Sequence, residues 1–305
     1  MSRSFYDPRV MIVRDGPWRP GSFDMHPWVR GLALALLLGG TGAAAQGVSK
    51  AEELFDKEEL ARQVGIHEKN CKKGDAGECF NLALAYQQGL GVAKDEAQAA
   101  THFKKACDKG HLDSCNNLGI AHMEGQGVKA DPKQALSLFE KTCKKDDAKG
   151  CFNLGLAHET GRAGQKDPAK ATASYEKACN KAHDEGCVRL GIAHAQGSGV
   201  SKDPTKAASF FTKACDAGNK MGCNFLGVSA MSGVGAPRDM NRAATLFEQA
   251  CDGGVAGACF NLAIAYQRGH GKMKDTERAK TLVKKSCDMG FPPACQAIRP
   301  APKKP

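Results

Sequence analysis

CDKGHLDSCNNLGIAHMEGQGVKADPKQALSLFEKT, from Cys107 to Thr142, decides the fold, because the chain writes it six times without a gap. Copies of 36 residues begin at Cys71, Cys107, Cys143, Cys179, Cys215 and Cys251, and a truncated seventh begins at Cys287. Each carries a second cysteine eight positions on: Cys79, Cys115, Cys151, Cys187, Cys223, Cys259 and Cys295. These seven pairs account for all 14 cysteines. A fixed period of this length marks a solenoid, in which each unit buries its apolar face only against its neighbours.

The punctuation within a copy predicts two antiparallel helices. The first carries the second cysteine and a leucine, and stops at a glycine: Gly89, Gly125, Gly161, Gly197, Gly233 or Gly269. Glycine there can adopt the left-handed conformation that ends a helix. Gly-x-Gly follows in five of six copies; Gly161-Arg162-Ala163-Gly164 departs from it. The second helix starts at an aspartate: Asp95, Asp131, Asp167, Asp203, Asp239 or Asp275. Its carboxylate suits the orphan amides of a first turn. Pro132, Pro168 and Pro204 follow where a missing N–H costs nothing. An alanine and, four residues on, an aromatic (Phe103, Phe139, Tyr175, Phe211, Phe247; Val283 in the last) share one buried face. Lysines in the last turn suit the negative helix end. Ala83, Gly119, Gly155, Gly191, Gly227 and Ala263 mark close helix–helix approach. No alternating strand pattern occurs, so the class is all-α.

The flanks read differently. Residues 31–42, GLALALLLGGTG, form an apolar core of signal-peptide length, with Arg30 before it and Ala43-Ala44-Ala45 after it. Residues 1–45 are therefore expected to be an N-terminal extension and signal peptide, with Met25 a plausible true start. The run is short for a permanent membrane anchor. Residues 46–70 are a polar link and a capping helix from Lys50 to Asn70, residues 71–298 the repeats, and residues 299–305 a disordered tail.

Composition narrows the function classes. The net charge is +10, but Lys and Arg alternate with Asp and Glu through every repeat. No arginine block and no basic stripe with aromatics is present, so nucleic acid is not an expected partner. Fourteen paired cysteines together with the leader point to disulfides and an exported, periplasmic or secreted protein.

Bridged cysteines need Cα atoms roughly 4.4–6.8 Å apart. Eight residues along one helix would separate them by about 12 Å, so the chain must turn between them. Pairing Cys79 with Cys107 across a hairpin strands Cys71 and Cys295. Pairing each cysteine with the one eight residues on uses all 14. The expectation is seven local bridges joining the second helix of one repeat to the first helix of the next. The spacing is a poor match to zinc sites; neither metal nor cofactor is expected.

LGIAHMEGQGV (Leu118 to Val128) and DPKQAL (Asp131 to Leu136), with Lys170-Ala171, Lys206-Ala207, Arg242-Ala243 and Arg278-Ala279, resemble the Sel1-like repeat. With the paired cysteines, the chain is most similar to the secreted cysteine-rich Sel1-like proteins of bacteria. The resemblance covers Cys71 to about Ile298. It implies a right-handed α/α superhelical solenoid related to tetratricopeptide repeats, stapled by disulfides. It also implies an interaction scaffold, since relatives mostly act as such. Some cysteine-rich relatives are described as penicillin-binding proteins with slow β-lactamase activity, which makes a β-lactam hydrolase the alternative.

Candidate sites separate these classes. Ser174-Tyr175-Glu176-Lys177 is the one Ser-x-x-Lys, yet its serine falls where other copies place packing residues, and no Ser-Asp-Asn or Lys-Thr-Gly completes a β-lactamase signature. A histidine column, His122, His158 and His194, lies on the packing face, where stacked helices about 8–10 Å apart keep imidazoles from sharing a metal. A groove is the better candidate. Asn81, Asn117, Asn153 and Asn261 form a row that Arg189 and Phe225 interrupt. Gln88, Glu124, Thr160, Gln196, Ser232 and Arg268 follow seven residues later on the same face. Asparagine can hold an extended peptide backbone, or equally can bond to a neighbouring turn of the solenoid. The leading expectation is a monomeric scaffold binding a protein or peptide on a concave face lined by the first helices.

Overall fold

The computed structural model describes residues 43–298, with side chains from residue 57. Fourteen helices follow one another, and no strand occurs among the described residues. The chain falls into two compact units, A (residues 43–145 with 162–164) and B (residues 146–161 with 165–298). Unit A holds α1 (Ala43–Lys72), α2 (Ala76–Gln88), α3 (Glu96–Asp108), α4 (Leu112–Glu124) and α5 (Pro132–Cys143). Unit B holds α6 (Ala148–Thr160), α7 (Pro168–Asn180), α8 (Asp184–Gln196), α9 (Pro204–Asp216), α10 (Lys220–Ser232), α11 (Met240–Asp252), α12 (Ala256–Arg268), α13 (Thr276–Asp288) and α14 (Pro292–Ala297). Helix α1 begins seven residues before the expected capping helix and runs two residues past it. Its Ala-Ala-Ala-Gln start has the propensity to join it. The apolar run of residues 31–42 and the tail lie outside the described residues.

Every helix-to-helix turn within a repeat is built the same way. Gly125 closes α4 at φ 73°, and its amide donates to the Ala121 carbonyl. The loop then folds back until the Asp131 amide donates to the His122 carbonyl at 2.8 Å. Asp131 Oδ1 in turn accepts from the Gln134 amide, starting α5. The other five copies repeat all three features.

The second glycine of Gly-x-Gly has a separate duty that the sequence pattern did not reveal. A Cβ on Gly127 would overlap the Glu96 carbonyl at the start of α3. A Cβ on Gly199, Gly235 or Gly271 would likewise overlap the first-turn carbonyl of Pro168, Pro204 or Met240. Each of these glycines lets a loop lie directly on the second helix of the preceding repeat.

The core is aromatic against glycine. Phe139, Tyr175, Phe211 and Phe247 are all buried. A Cβ on Gly119, Gly155 or Gly191 would lie 2.5 Å from the Phe139, Tyr175 or Phe211 ring. The rings thus occupy the volume that the missing side chains vacate, and helices within a hairpin approach closely.

The turn between repeats is short and needs one left-handed residue. Gly74, Gly110, Gly218, Gly254 and Gly290 supply it at φ 85–98°. Asp146 and Ala182 occupy the same place at φ 61°. The next helix is then capped from its N-cap: Asp75, His111, Asp147, His183 and Asn219 each accept from an amide three residues on.

Candidate functional site

The cysteines sit on either side of that turn. Cys71–Cys79, Cys107–Cys115, Cys179–Cys187, Cys215–Cys223, Cys251–Cys259 and Cys287–Cys295 are bridged, with Cα atoms 4.5–4.6 Å apart. Cys143 and Cys151 are also disulfide-bonded, and no cysteine is free. The expected local pairing is the one observed. A bridge closing so small a loop contributes on the order of 2.5 kcal/mol in the chain-entropy model. Most of these sulfurs are buried, whereas Cys287 and Cys295 are half-buried. Such a density of bridges marks a chain that matures in an oxidising compartment. Among the described residues, no helix is long and apolar enough to cross a membrane.

Ser174 is bound into its own helix. Ser174 is 6% exposed, and its hydroxyl donates to the Lys170 carbonyl one turn back in α7 at 2.8 Å. It is spent on its own helix. His122, His158 and His194 are half-buried between helices, and the His194 ring stacks on Phe210 at 5.5 Å. Among the described residues no group of three or more His, Cys, Asp or Glu side chains is placed to hold a metal.

The asparagine row divides. Asn261 is 2% exposed and donates to Asn224 Oδ1 at 3.1 Å, so it fastens α12 to α10. Asn153 is buried, while Asn81 and Asn117 are half-buried. Gln88, Glu124, Thr160, Gln196, Ser232 and Arg268 are exposed at the ends of their helices. Glu124 is held by Arg162, which makes two bonds to its carboxylate. Arg162 stands in the loop that breaks the Gly-x-Gly pattern.

Between the asparagine and the terminal polar residue lies an aliphatic position that sequence reasoning passed over. It is Leu84 and Ile120 in unit A, and Leu156, Ile192, Val228 and Ile264 in unit B. Leu84, Ile192, Val228 and Ile264 are only half-buried. The spacing of three and then four residues joins asparagine, aliphatic and polar residue in one stripe along each first helix.

Within unit B one place departs from the repeat. Glu159 on α6 accepts a hydrogen bond from the buried Tyr175 hydroxyl and lies 3.5 Å from Arg189 Nη1 of α8. Burial first, and Glu159 second, hold the Tyr175 phenol well above the ordinary tyrosine range. Glu185, one turn before Arg189, is pushed up from the usual carboxylate range by burial, against the opposing pull of Arg189. On the next first helix, the Phe225 ring stacks on Phe211 at 5.0 Å.

Stacked helical hairpins of fixed length, a left-handed glycine after each first helix and an aspartate before each second define a tandem α/α repeat protein. The Sel1 repeat family model matches residues 79–111, 112–147, 148–183, 184–219, 220–255 and 256–291, so the chain belongs to the Sel1 repeat family. Among solved structures it is similar to a protective antigen of uropathogenic Escherichia coli strains that displays an SLR fold (27% identity, 74% of this chain and 49% of that chain, TM-score 0.70). The chain spans about half the length of that antigen. It is also similar to a Sel1 repeat protein from Oxalobacter formigenes (22% identity, 78% of this chain and 95% of that chain, TM-score 0.67). A third similarity is to cysteine-rich protein B of Helicobacter pylori (32% identity, 43% of this chain and 95% of that chain, TM-score 0.36). None of the curated proteins matches the chain.

Proposed function

We propose that this Sel1 repeat protein is an exported scaffold that binds a protein or peptide segment along the exposed stripes of its first helices. One observation carries the reading. Positions that build the fold are nearly invariant from copy to copy, whereas the stripe changes. In unit B its inner position is the half-buried Arg189 and Phe225 where α6 and α12 hold buried asparagines, and its outer position reads Thr160, Gln196, Ser232 and Arg268. Stability asks nothing of the outer side chains, which are exposed. A row of partly exposed, non-identical side chains on regularly spaced helices is the means by which solenoids read an extended ligand. No chemistry is required of the protein, and the bridges keep the reading surface rigid. The leader read at residues 31–42 and the oxidised cysteines both support export.

Site-specific photocrosslinking tests this. A photoreactive residue at Gln196 or Ser232 on the stripe, compared with one at the exposed Glu176 of α7, is introduced into oxidised protein incubated with a cell-envelope extract. A discrete adduct from the stripe positions alone is the expected result. Equal labelling at Glu176, or no adduct at any position, overturns the reading.

A further inference from the structure

The scaffold reading leaves the ligand's chemistry open, and unit B constrains it. Its first helices lay four stripes side by side. The stripe on α8 is charged, with Glu185, Arg189 and then Ile192. The stripe on α10 is apolar, with Met221, Phe225 and Val228 all half-buried. On α12 the position of Met221 is Gly257, where a Cβ would meet the Phe291 ring at 3.6 Å.

The charged group is no repeat of anything else in the chain. Where Tyr175 stands, the four preceding and following full copies other than the last carry phenylalanine. Where Glu159 stands, the other copies carry Gln87, Met123, Ala195, Met231 and Gln267. Arg189 replaces an asparagine of the row. Three departures on three different helices would scatter if they were drift. Here they meet at one carboxylate oxygen, Glu159 Oε2.

The group does not cancel its own charge. Two carboxylates, Glu159 and Glu185, flank a single guanidinium. The Tyr175 hydroxyl and Arg189 both engage Oε2 of Glu159. The Glu159 side chain is 43% exposed, so its carboxylate is within a ligand's reach. A cation docking there would complete the group, whereas an anion would meet two carboxylates. Neighbouring helices lie about 8–10 Å apart, and an extended chain advances about 3.3 Å per residue. Glu159 projects from α6 toward Arg189 of α8, so one to two helix spacings, or about three to six residues, separate it from the α10 stripe.

We propose that unit B binds an extended peptide segment whose Lys or Arg side chain seats on Glu159 and whose large apolar side chain, three to six residues away, seats on Phe225 and Val228. The proposal rests on the scaffold reading. Glu159 is the anchor, Tyr175 and Arg189 are positioning residues that aim it, and the α10 stripe supplies apolar contact. Charge selects the ligand at one point, and shape and hydrophobicity at the other.

Fluorescein-labelled octapeptides of Ser and Gly test it, differing only at two positions set three, four, five or six apart: Lys with Leu in either order, Glu with Leu, or Ala with Ala. Anisotropy against oxidised protein is expected to show a Lys–Leu peptide binding at least ten-fold tighter than Glu–Leu and Ala–Ala. Glu159→Gln and Val228→Thr should each weaken it about ten-fold, while Thr245→Ala, on an exposed site of α11, should leave it unchanged. Both informative substitutions keep side-chain volume, and circular dichroism checks that each variant is folded. Tighter binding of Glu–Leu, or Lys–Leu binding indifferent to both substitutions, overturns this inference and leaves the scaffold reading standing. No binding of any peptide by the wild type counts against both.

Discussion

Ala182 and Gly218 occupy equivalent places in successive inter-repeat turns, each inside a disulfide loop of unit B. Both residues are left-handed, Ala182 at φ 61° and Gly218 at φ 94°. An alanine in that region costs roughly 1–2 kcal/mol. Glycine avoids this cost but gives the unfolded chain more freedom, worth about 0.4–1 kcal/mol in the opposite sense. A Cβ on Gly218 would have nothing within 4 Å, so no steric term enters there. Ala182 is exposed, so its methyl group contributes little burial. Ala182→Gly should therefore stabilise the oxidised protein by about 0.5–1 kcal/mol, and Gly218→Ala should destabilise it by a similar amount. With a urea slope of about 1–3 kcal/mol/M, the two midpoints move apart by roughly 0.3–2 M. The assay is urea unfolding of oxidised protein, followed by far-ultraviolet circular dichroism. Midpoints that shift in the same direction, or that both stay within error of wild type, would show that backbone conformation does not govern this turn.

Gly191→Ala should cost about 1–3 kcal/mol, because its methyl group meets the Phe211 ring at 2.5 Å; adding Phe211→Val should recover part of that loss in a double-mutant cycle. Asp203→Ala removes the cap on the Lys206 amide and should cost about 1 kcal/mol in the same urea assay. Since the Tyr175 phenol is held well above its ordinary value, the folded state resists ionising it while the unfolded chain does not. Stability is thus untouched below the ordinary tyrosine pKa near 10 and falls as pH climbs past it. Tyr175→Phe should flatten that alkaline fall, and absorbance at 295 nm should lose the tyrosine that titrates only on unfolding. Mass spectrometry under graded dithiothreitol should find the half-buried Cys287–Cys295 bridge reduced before the buried Cys107–Cys115 bridge. Nitrocefin turnover should not exceed that of an unrelated disulfide-bonded protein, and Ser174→Ala should leave it unchanged.

The fold was legible where one residue type does one local job. Asp131 and its equivalents cap, Gly125 and its equivalents turn left-handed, and Phe139 fills the space that Gly119 leaves. The cysteine pairing was legible too, because geometry admits few partners and parity removes the rest. Contacts between repeats were harder to read. Nothing in Gly-Gln-Gly marks Gly127 as lying on the Glu96 carbonyl, since the partner is 31 positions away. Asn261 looked like its row-mates until burial placed it against Asn224. The charged group had left a trace, in Tyr175 among phenylalanines and Arg189 among asparagines. Only coordinates show that the two exceptions share Glu159.

The bridges matter to binding as well as to stability. An extended ligand read by several helices loses affinity if the helices must first be brought into register, because that ordering opposes association. In this chain the joint between consecutive hairpins is set by a left-handed residue, an N-cap and a disulfide within about ten residues. Reduction would release the covalent part of that joint and leave each hairpin's glycine–aromatic core intact. Peptide affinity should then fall under reducing conditions that leave most of the helical signal in place. If affinity and helicity are instead lost together, the bridges serve only folding, and rigidity of the stripe is not what the ligand reads.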